Sequence, residues 1–282
     1  MALSAFSFCL MTVFVKIAGQ SLGTFQIVLF RGIFTLLLTL IIIKKKNIYL
    51  WGKNHKILAF RGLSGTIALF FVYESIQRLS LSEATVIQYL YPIFTTLLAS
   101  LLISEKTTKK LYLAIFIGFS GIYVVLNFPF LNNSATFDIE NTFIAIMGAF
   151  LTGLAYVLVR LSSKLDESPY IIMFYFPLFT VPLSLPFVIL NWSNPEPQIW
   201  GVLLLVGIFT QLGQTFLTFG YKLLPASTAS TASYVQVPFS ALAGAFIFHE
   251  SISYNFIFGS FLILIAMLLI IKKKENKNIS LI

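Results

Sequence analysis

Few side chains in this sequence are equipped for chemistry, and most of them stand inside apolar runs. Arg31 lies about nine residues into the run Leu22–Ile43. A charge at that depth in a bilayer is costly, so it turns to the protein interior, to water or to a counter-ion. Glu74, near the end of the run Ile57–Ile76, is the best partner on offer, with Glu83 behind it. Glu74 also stands four residues before Arg78, the spacing at which a helix pairs opposite charges. Arg31 therefore reads as a substrate or gating group, as half of a structural ion pair, or as a side chain reaching along its stem to a polar interface. Gln211 and Gln214 are three residues apart, hence on one helical face, at the centre of the run Ile199–Tyr221. Gln88 and Gln236 stand near Pro92 and Pro238, with Tyr89, Tyr91 and Tyr234 beside them. Amides, phenols and one guanidinium suit hydrogen-bonded recognition of a small polar or amphipathic solute. The same amides also bond one helix to another. Pro92 and Pro238 each remove a backbone donor near mid-span, which bends a helix beside a cavity, marks a gating joint, or kinks a packed helix.

No set of residues points to catalysis. His55 and His249 have no second histidine near them, the lone Cys9 lies in an apolar run, and no phosphate-cradling glycine loop occurs. The expectation is no enzyme, no metal, no cofactor and no ATP-driven pump in this chain.

The elements that carry these residues are ten apolar segments, each near the roughly 20 residues that cross a bilayer as a helix. They are Ala2–Ala18, Leu22–Ile43, Ile57–Ile76, Ser82–Ile103, Leu111–Phe128, Asn141–Leu161, Pro169–Leu190, Ile199–Tyr221, Ala226–Phe248 and Tyr254–Ile271. Composition agrees. Of 282 residues, 58% are apolar and only 10% charged, against roughly 25% charged in soluble domains. So few charges cannot cover a soluble protein of this length. The first segment opens at Met1 without a charged leader, so a cleaved signal peptide is not expected. Connectors are short, and consecutive spans should run antiparallel.

The net charge of +9 does not indicate nucleic acid, because the lysines cluster between spans rather than along a helical face. Alternate connectors place fifteen of the 19 basic residues on one side: Lys44–Lys46, Lys53, Lys56, Lys106, Lys109, Lys110, Arg160, Lys164, Lys222, Lys272–Lys274 and Lys277. That side is cytoplasmic by the positive-inside rule, and both termini with it. Lys44–Lys46 reads as a solvated, topology-setting loop before it reads as a lipid-binding patch.

The chain also resembles itself at an offset near 145 residues. ATVIQYLYPIFTTLLASLLISE, ending at Glu105, aligns with ASTASYVQVPFSALAGAFIFHE, ending at Glu250. Tyr89 meets Tyr234, and Pro92 and Pro238 fall one residue apart. Five spans separate the halves, so the second half must enter the membrane from the opposite face, an arrangement suited to alternating access. Glu105 and Glu250 read as interfacial residues stabilising the N-terminus of the next helix, with proton coupling as the alternative. The pairs Gly118–Gly121, Gly148–Gly153 and Gly213–Gly220 read as helix packing.

In this order the pieces resemble the drug/metabolite transporter superfamily, specifically its EamA-type ten-helix permeases. The resemblance rests on Lys16 ending span 1, Arg31 early in span 2 and RGLSG from Arg61 to Gly65. It continues with the proline and glutamate of Leu79–Glu105, and with PASTAS from Pro225 and YVQVPFSAL from Tyr234 in the second half. It implies an all-α integral membrane protein of ten transmembrane helices in two inverted five-helix repeats, residues 1–130 and 138–282, with the cavity between them. It implies a secondary carrier in the cell membrane for a small metabolite, amino-acid-like before other classes. A driving proton or counter-solute is expected, and a homodimer is compatible with the sequence. Arg31, Gln88, Tyr89, Gln211, Gln214, Tyr234 and Gln236 are the expected solute contacts, with Pro92, Pro238 and Glu74 as gating or ion-pair residues. A non-transporting assembly or receptor-like protein and a lipid translocase are the alternatives.

Overall fold

The computed structural model describes residues 1–79, 81–125, 128, 139–248 and 254–271. Glu250, His249 and the tail lysines lie outside the described residues. Within them the chain is helical, without strands. The first half holds α1 (Ala2–Ala18), α2 (Thr24–Lys45), α3 (His55–Arg78), α4 (Leu81–Gln88), α5 (Tyr91–Ile103) and α6 (Lys109–Val125). The second holds α7 (Ile139–Lys164), α8 (Pro169–Leu190), α9 (Pro197–Leu223), α10 (Ala226–Ala232), a 3-10 turn (Ser233–Val235), α11 (Gln236–Phe248) and α12 (Tyr254–Ile271).

Apolar runs mark these helices well, and the departures have physical causes. Helices α2, α3, α7 and α9 run two or three residues past the apolar run, because Lys45, Arg78, Lys164 and Lys222 keep their backbone in the helix while their heads reach water. The fourth and ninth apolar segments are each two helices rather than one. Proline lacks an N–H, and its ring collides with the carbonyl four residues back. For Pro92 that residue is Gln88, the last of α4, and the chain turns through Tyr89–Leu90 before α5 starts. Pro92 then stands at the second position of α5, and Pro238 at the third of α11. Both are first-turn positions, where the N–H has no intrahelical acceptor to lose. The one-residue slip between the prolines therefore leaves the register unchanged.

That register recurs at helix ends. Thr24 and Pro169, Lys45 and Leu190, Arg78 and Leu223, and Tyr91 and Gln236 are element boundaries standing 145 residues apart. Packing follows the same exchange, α1–α6 for α7–α12. Helix α1 packs on α9 as α3 packs on α7, and α5 packs on α7 as α11 packs on α1. Likewise α3 meets α8 as α2 meets α9, while α2–α8 and α6–α12 are their own counterparts. Helices α6 and α12 approach at Gly121 and Gly259, where a Cβ on either would lie 2.7 Å and 2.5 Å from the other's carbonyl oxygen.

Polarity is turned inward. Thr66, Thr95, Ser162, Ser184, Thr218 and Ser230 are buried, whereas Leu101, Phe116, Ile189 and Phe246 are exposed on the outside. Several of these hydroxyls donate to carbonyls one turn back, as Thr66 does to Gly62 and Thr95 to Tyr91 at 2.9 and 2.8 Å, which satisfies them where water is absent, whereas those of Ser162 and Thr218 have no partner. Among the described residues six helical stretches are long and apolar enough to cross a membrane, with Ala84–Ile103, from α4 through α5, counted as one. The chain is a multi-pass membrane protein.

Polar contacts between connectors fall into two groups. Glu167, after α7, accepts from the N–H groups of Lys53 and Asn54 before α3, at 2.8 and 2.5 Å. Glu105, after α5, bonds Arg160 near the end of α7, and Arg160 donates to the carbonyl of Lys222 near the end of α9. On the other side Gln26, at the start of α2, exchanges two bonds with Ser193 after α8, and Arg78, closing α3, bonds Glu140 opening α7.

Candidate functional site

Between the two halves lies a cavity of about 200 Å³, lined from α1, α2, α3, α4, α7, α8, α9 and α11. At roughly 30 Å³ per water it has the volume of about seven waters, enough for a small metabolite and below the size of drug pockets. The repeat delivers equivalent positions to its wall: Arg31 and Phe176, Met11 and Tyr156, and Leu69 and Gln214 are each 145 residues apart, and all six line it. Each pair has one polar and one apolar member. Polar and apolar members alternate around the wall, Arg31 against Met11 and Arg61 against Phe176.

Arg31 is 6% exposed, and its Nη1 has Met11 Sδ at 4.0 Å. No carboxylate among the described side chains lies within ion-pair distance of it; the side chain of Glu83 lies outside them. Glu74 instead pairs with Arg78, whose Nε donates to its carboxylate at 2.8 Å in a half-exposed position. The local i,i+4 geometry prevails over the longer reach to Arg31. Gln88 lines the cavity and donates from Nε2 to Thr152 Oγ1 at 3.2 Å. Gln214 and Gln236 also line it. Gln211 does not; its Oε1 accepts from Thr39 on α2 at 3.2 Å. Positions three apart differ by about 60° around a helix, enough to aim Gln214 at the cavity and Gln211 at a neighbour.

Tyr89 and Tyr234 stand behind the wall rather than on it. Tyr234 is fully buried, its hydroxyl donates to the carbonyl of Tyr89 at 3.4 Å, and the rings lie 6.0 Å apart. This contact joins the two broken segments at their turns. Tyr91 continues the aromatic row to Tyr156 at 5.4 Å, which does face the cavity. Pro92 and Pro238 are buried at the starts of α5 and α11 and shape the joints, without lining the cavity.

Arg61, which opens the RGLSG stretch, also lines the cavity, although its residue type and spacing do not mark it as a solute contact. It is 2% exposed, its guanidinium lies over the Phe176 ring at 5.0 Å, and Nε has no hydrogen-bond partner. Its head folds along α3 toward Gly65, where an added Cβ would stand 2.5 Å from Nη1 and 3.2 Å from the Phe176 ring. Arginine followed four residues later by glycine is thus the available sequence signal: the glycine leaves room for a head that turns inward. Gly65→Ala is expected to displace that head while leaving the fold intact. For a solute carried by the reconstituted protein, half-saturation should rise about tenfold, near 1.4 kcal/mol of binding, with the unfolding midpoint unchanged. An unchanged half-saturation would mean that Arg61 does not meet the solute.

Charge and hydrogen bonds are what these groups can offer a solute, and the chain is similar to several known proteins. Residues 1–127 and again 142–272 match the family described as the EamA-like transporter family. A pseudopaline exporter of Pseudomonas aeruginosa is 24% identical over 275 residues, 97% of this chain and 95% of that protein. An S-adenosylmethionine uptake transporter of Rickettsia prowazekii is 25% identical over 274 residues, 94% and 88% of the two chains. A solved crystal structure shares the fold, with a TM-score of 0.78 over 95% of both chains at 17% identity.

Proposed function

The chain belongs to the EamA-like transporter family, and we propose that it is a secondary transporter moving a small polar or amphipathic metabolite, amino-acid-like in kind, by alternating access. The observation that carries this reading is the cavity between the halves, to which the repeat brings equivalent positions of both. Two similar halves that pack by exchange can swap an inward-open for an outward-open arrangement at little cost in free energy. In the proposed site Arg31, Gln88, Gln214 and Gln236 contact the solute. Gln211, Tyr89 and Tyr234 hold the helices that present them, and the joints at Pro92 and Pro238 move.

The finer topology belongs to the same proposal: ten spans, the broken segments α4–α5 and α10–α11 each counting as one, in inverted repeats of residues 1–130 and 138–282. The two groups of connector contacts support it, because each joins only connectors that alternation puts on one face. The basic connectors fall in one of these groups, and the positive-inside rule supports reading that face as cytoplasmic, with both termini there and the protein in the cell membrane. Relatives named as an exporter and as an uptake transporter fit a cycle that runs either way, with a proton or counter-solute as the second passenger.

The test is counterflow in proteoliposomes with a panel of labelled metabolites. A carrier shows saturable exchange of at least one solute, reduced tenfold or more by Arg31→Gln. Scrambling of labelled lipid without solute exchange, or neither activity, would sink the reading.

A further inference from the structure

The cavity holds two buried positive charges and, among the described side chains, which do not include that of Glu83, no carboxylate to balance them. Two guanidiniums offer about ten N–H donors, five each. What the wall returns is a thioether at 4.0 Å from Arg31 and an aromatic face at 5.0 Å from Arg61. Elsewhere the chain satisfies its buried charges. Glu105 has Arg160 and the N–H of Ala226, and Glu167 has two backbone N–H groups and the Asn54 amide. Arg160 adds two carbonyls to its carboxylate. Charge pairing is therefore within this fold's means, and the cavity is where it is left undone. Buried, unpaired cations strongly favour any anion that can reach them.

Resting on the carrier reading above, we infer that the solute supplies the missing anions: it is a small organic acid with two carboxylates, one for each of Arg31 and Arg61. The planar fork of each guanidinium takes a carboxylate through two parallel hydrogen bonds. An amine between the carboxylates is tolerated, but a solute whose charge is balanced by its own ammonium is not favoured, since the lining offers amides and hydroxyls and two like charges. Gln88, Gln214, Gln236 and Tyr156 serve the remaining polar groups. Phe8, Leu69 and Val72, apolar residues of the same lining, take the methylenes.

The full-length protein in detergent is titrated with malonate, succinate, glutarate, adipate, aspartate and glutamate, against the diamides of the four diacids, asparagine, glutamine and 1,5-diaminopentane. Its unfolding midpoint is followed. At least one diacid should raise the midpoint in a saturable manner while its amide counterpart does not. Arg31→Gln and Arg61→Gln should each raise the half-saturating concentration at least tenfold, and the double variant should abolish the effect. In the ligand-free protein Arg61→Met should raise the midpoint, because removing an unpaired buried charge relieves the empty site; a fall would identify a structural cation and count against the inference. Stabilisation by amides or diamine equal to that by acids, or by no diacid, overturns it. Counterflow with the same solutes separates the two readings. A diacid that binds but is not exchanged defeats the carrier while keeping the anion site, whereas neutral amides exchanged as fast as acids defeat the anion site and keep the carrier.

Discussion

Glu105→Ala is expected to lower the unfolding midpoint by roughly 6–12 °C, about 3 kcal/mol at the few degrees per kcal/mol usual for chains of this order. The carboxylate stands just beyond α5, where Ser104 turns with φ +52°. Oε1 accepts from Arg160 Nε at 2.8 Å and from Lys164 Nζ at 3.4 Å, and Oε2 accepts from the N–H of Ala226 at 2.7 Å. Arg160 spends its other donors on the carbonyls of Tyr221 and Lys222. One carboxylate thus ties the end of α5, in the first half, to the ends of α7 and α9 and the start of α10, in the second. The side chains of Glu105 and Arg160 are 8% and 17% exposed, whereas that of Lys164 is 37% exposed. The first pair therefore carries the effect, and the lysine adds little after screening. Removing the carboxylate leaves a mostly buried cation with two carbonyls, hence the lower end of the range for a broken buried pair. Arg160→Ala should cost about as much, and the double variant little more than either single. Additive losses would show that the two residues act separately. Because the tie closes one face across both halves, the same variants should shift the inward–outward population about a hundredfold for 2.7 kcal/mol. Cysteine labelling of cavity residues from either side of a vesicle reads that shift.

That tie also marks where sequence reading reaches its limit. Glu105 reads as an interfacial residue stabilising the next helix, but the N-terminus it bonds belongs to α10, and its main partner is 55 residues away. Nothing local in EKTTKK announces Arg160, because the contact exists only once α5 packs on α7 across the halves. Helix existence was legible for the opposite reason. An apolar run near bilayer length has one way to satisfy its backbone, and Ala2–Ala18 and Pro169–Leu190 begin and end where their apolar runs do. Breaks were half legible: Pro92 and Pro238 stand out, but the helix stops before the proline, at the carbonyl its ring excludes.

The site divides in the same way. A polar residue in an apolar run must face inward, and that rule finds Arg31, Gln88, Gln214 and Gln236. It does not say which inward direction, so Gln211, which bonds α2, cannot be told from Gln214. Arg61 escapes because depth along a helix locates the Cα, while a long side chain can carry its charge about a turn further. Here Gly65 decides the direction, and the glycine had no meaning until Phe176 and the guanidinium were seen against it.

The α6–α12 contact carries the second large effect, and here the sequence pattern names one partner only. Gly118–Gly121 reads as packing, but Gly259 has no glycine three or four residues away to advertise it. A Cβ on Gly259 would stand 2.5 Å from the Gly121 carbonyl oxygen and 2.8 Å from the Val125 nitrogen. These are backbone atoms of a helix, which cannot swing aside as a side-chain end can, so the helices must separate. Separation costs dispersion contacts along the whole seam, where Ile122, Ile263 and Ala266 are buried. In a membrane no gain from expelling water offsets that loss. Gly121→Ala and Gly259→Ala should each cost about 1–3 kcal/mol. Gly121→Leu should detach α12, which packs chiefly on α6, and be seen as loss of monodisperse protein and of a cysteine cross-link between the two helices. Gly201→Leu is the control, since nothing lies within 4 Å of its Cβ position, and it should leave both readouts intact. The double alanine variant separates the steric account from a loss of helix-specific contacts. Once one Cβ has pushed the helices apart, the second meets a gap already opened, so the combined loss should fall well short of the sum. Full additivity would mean that each glycine matters to its own helix, and the close approach of the backbones would not be the cause.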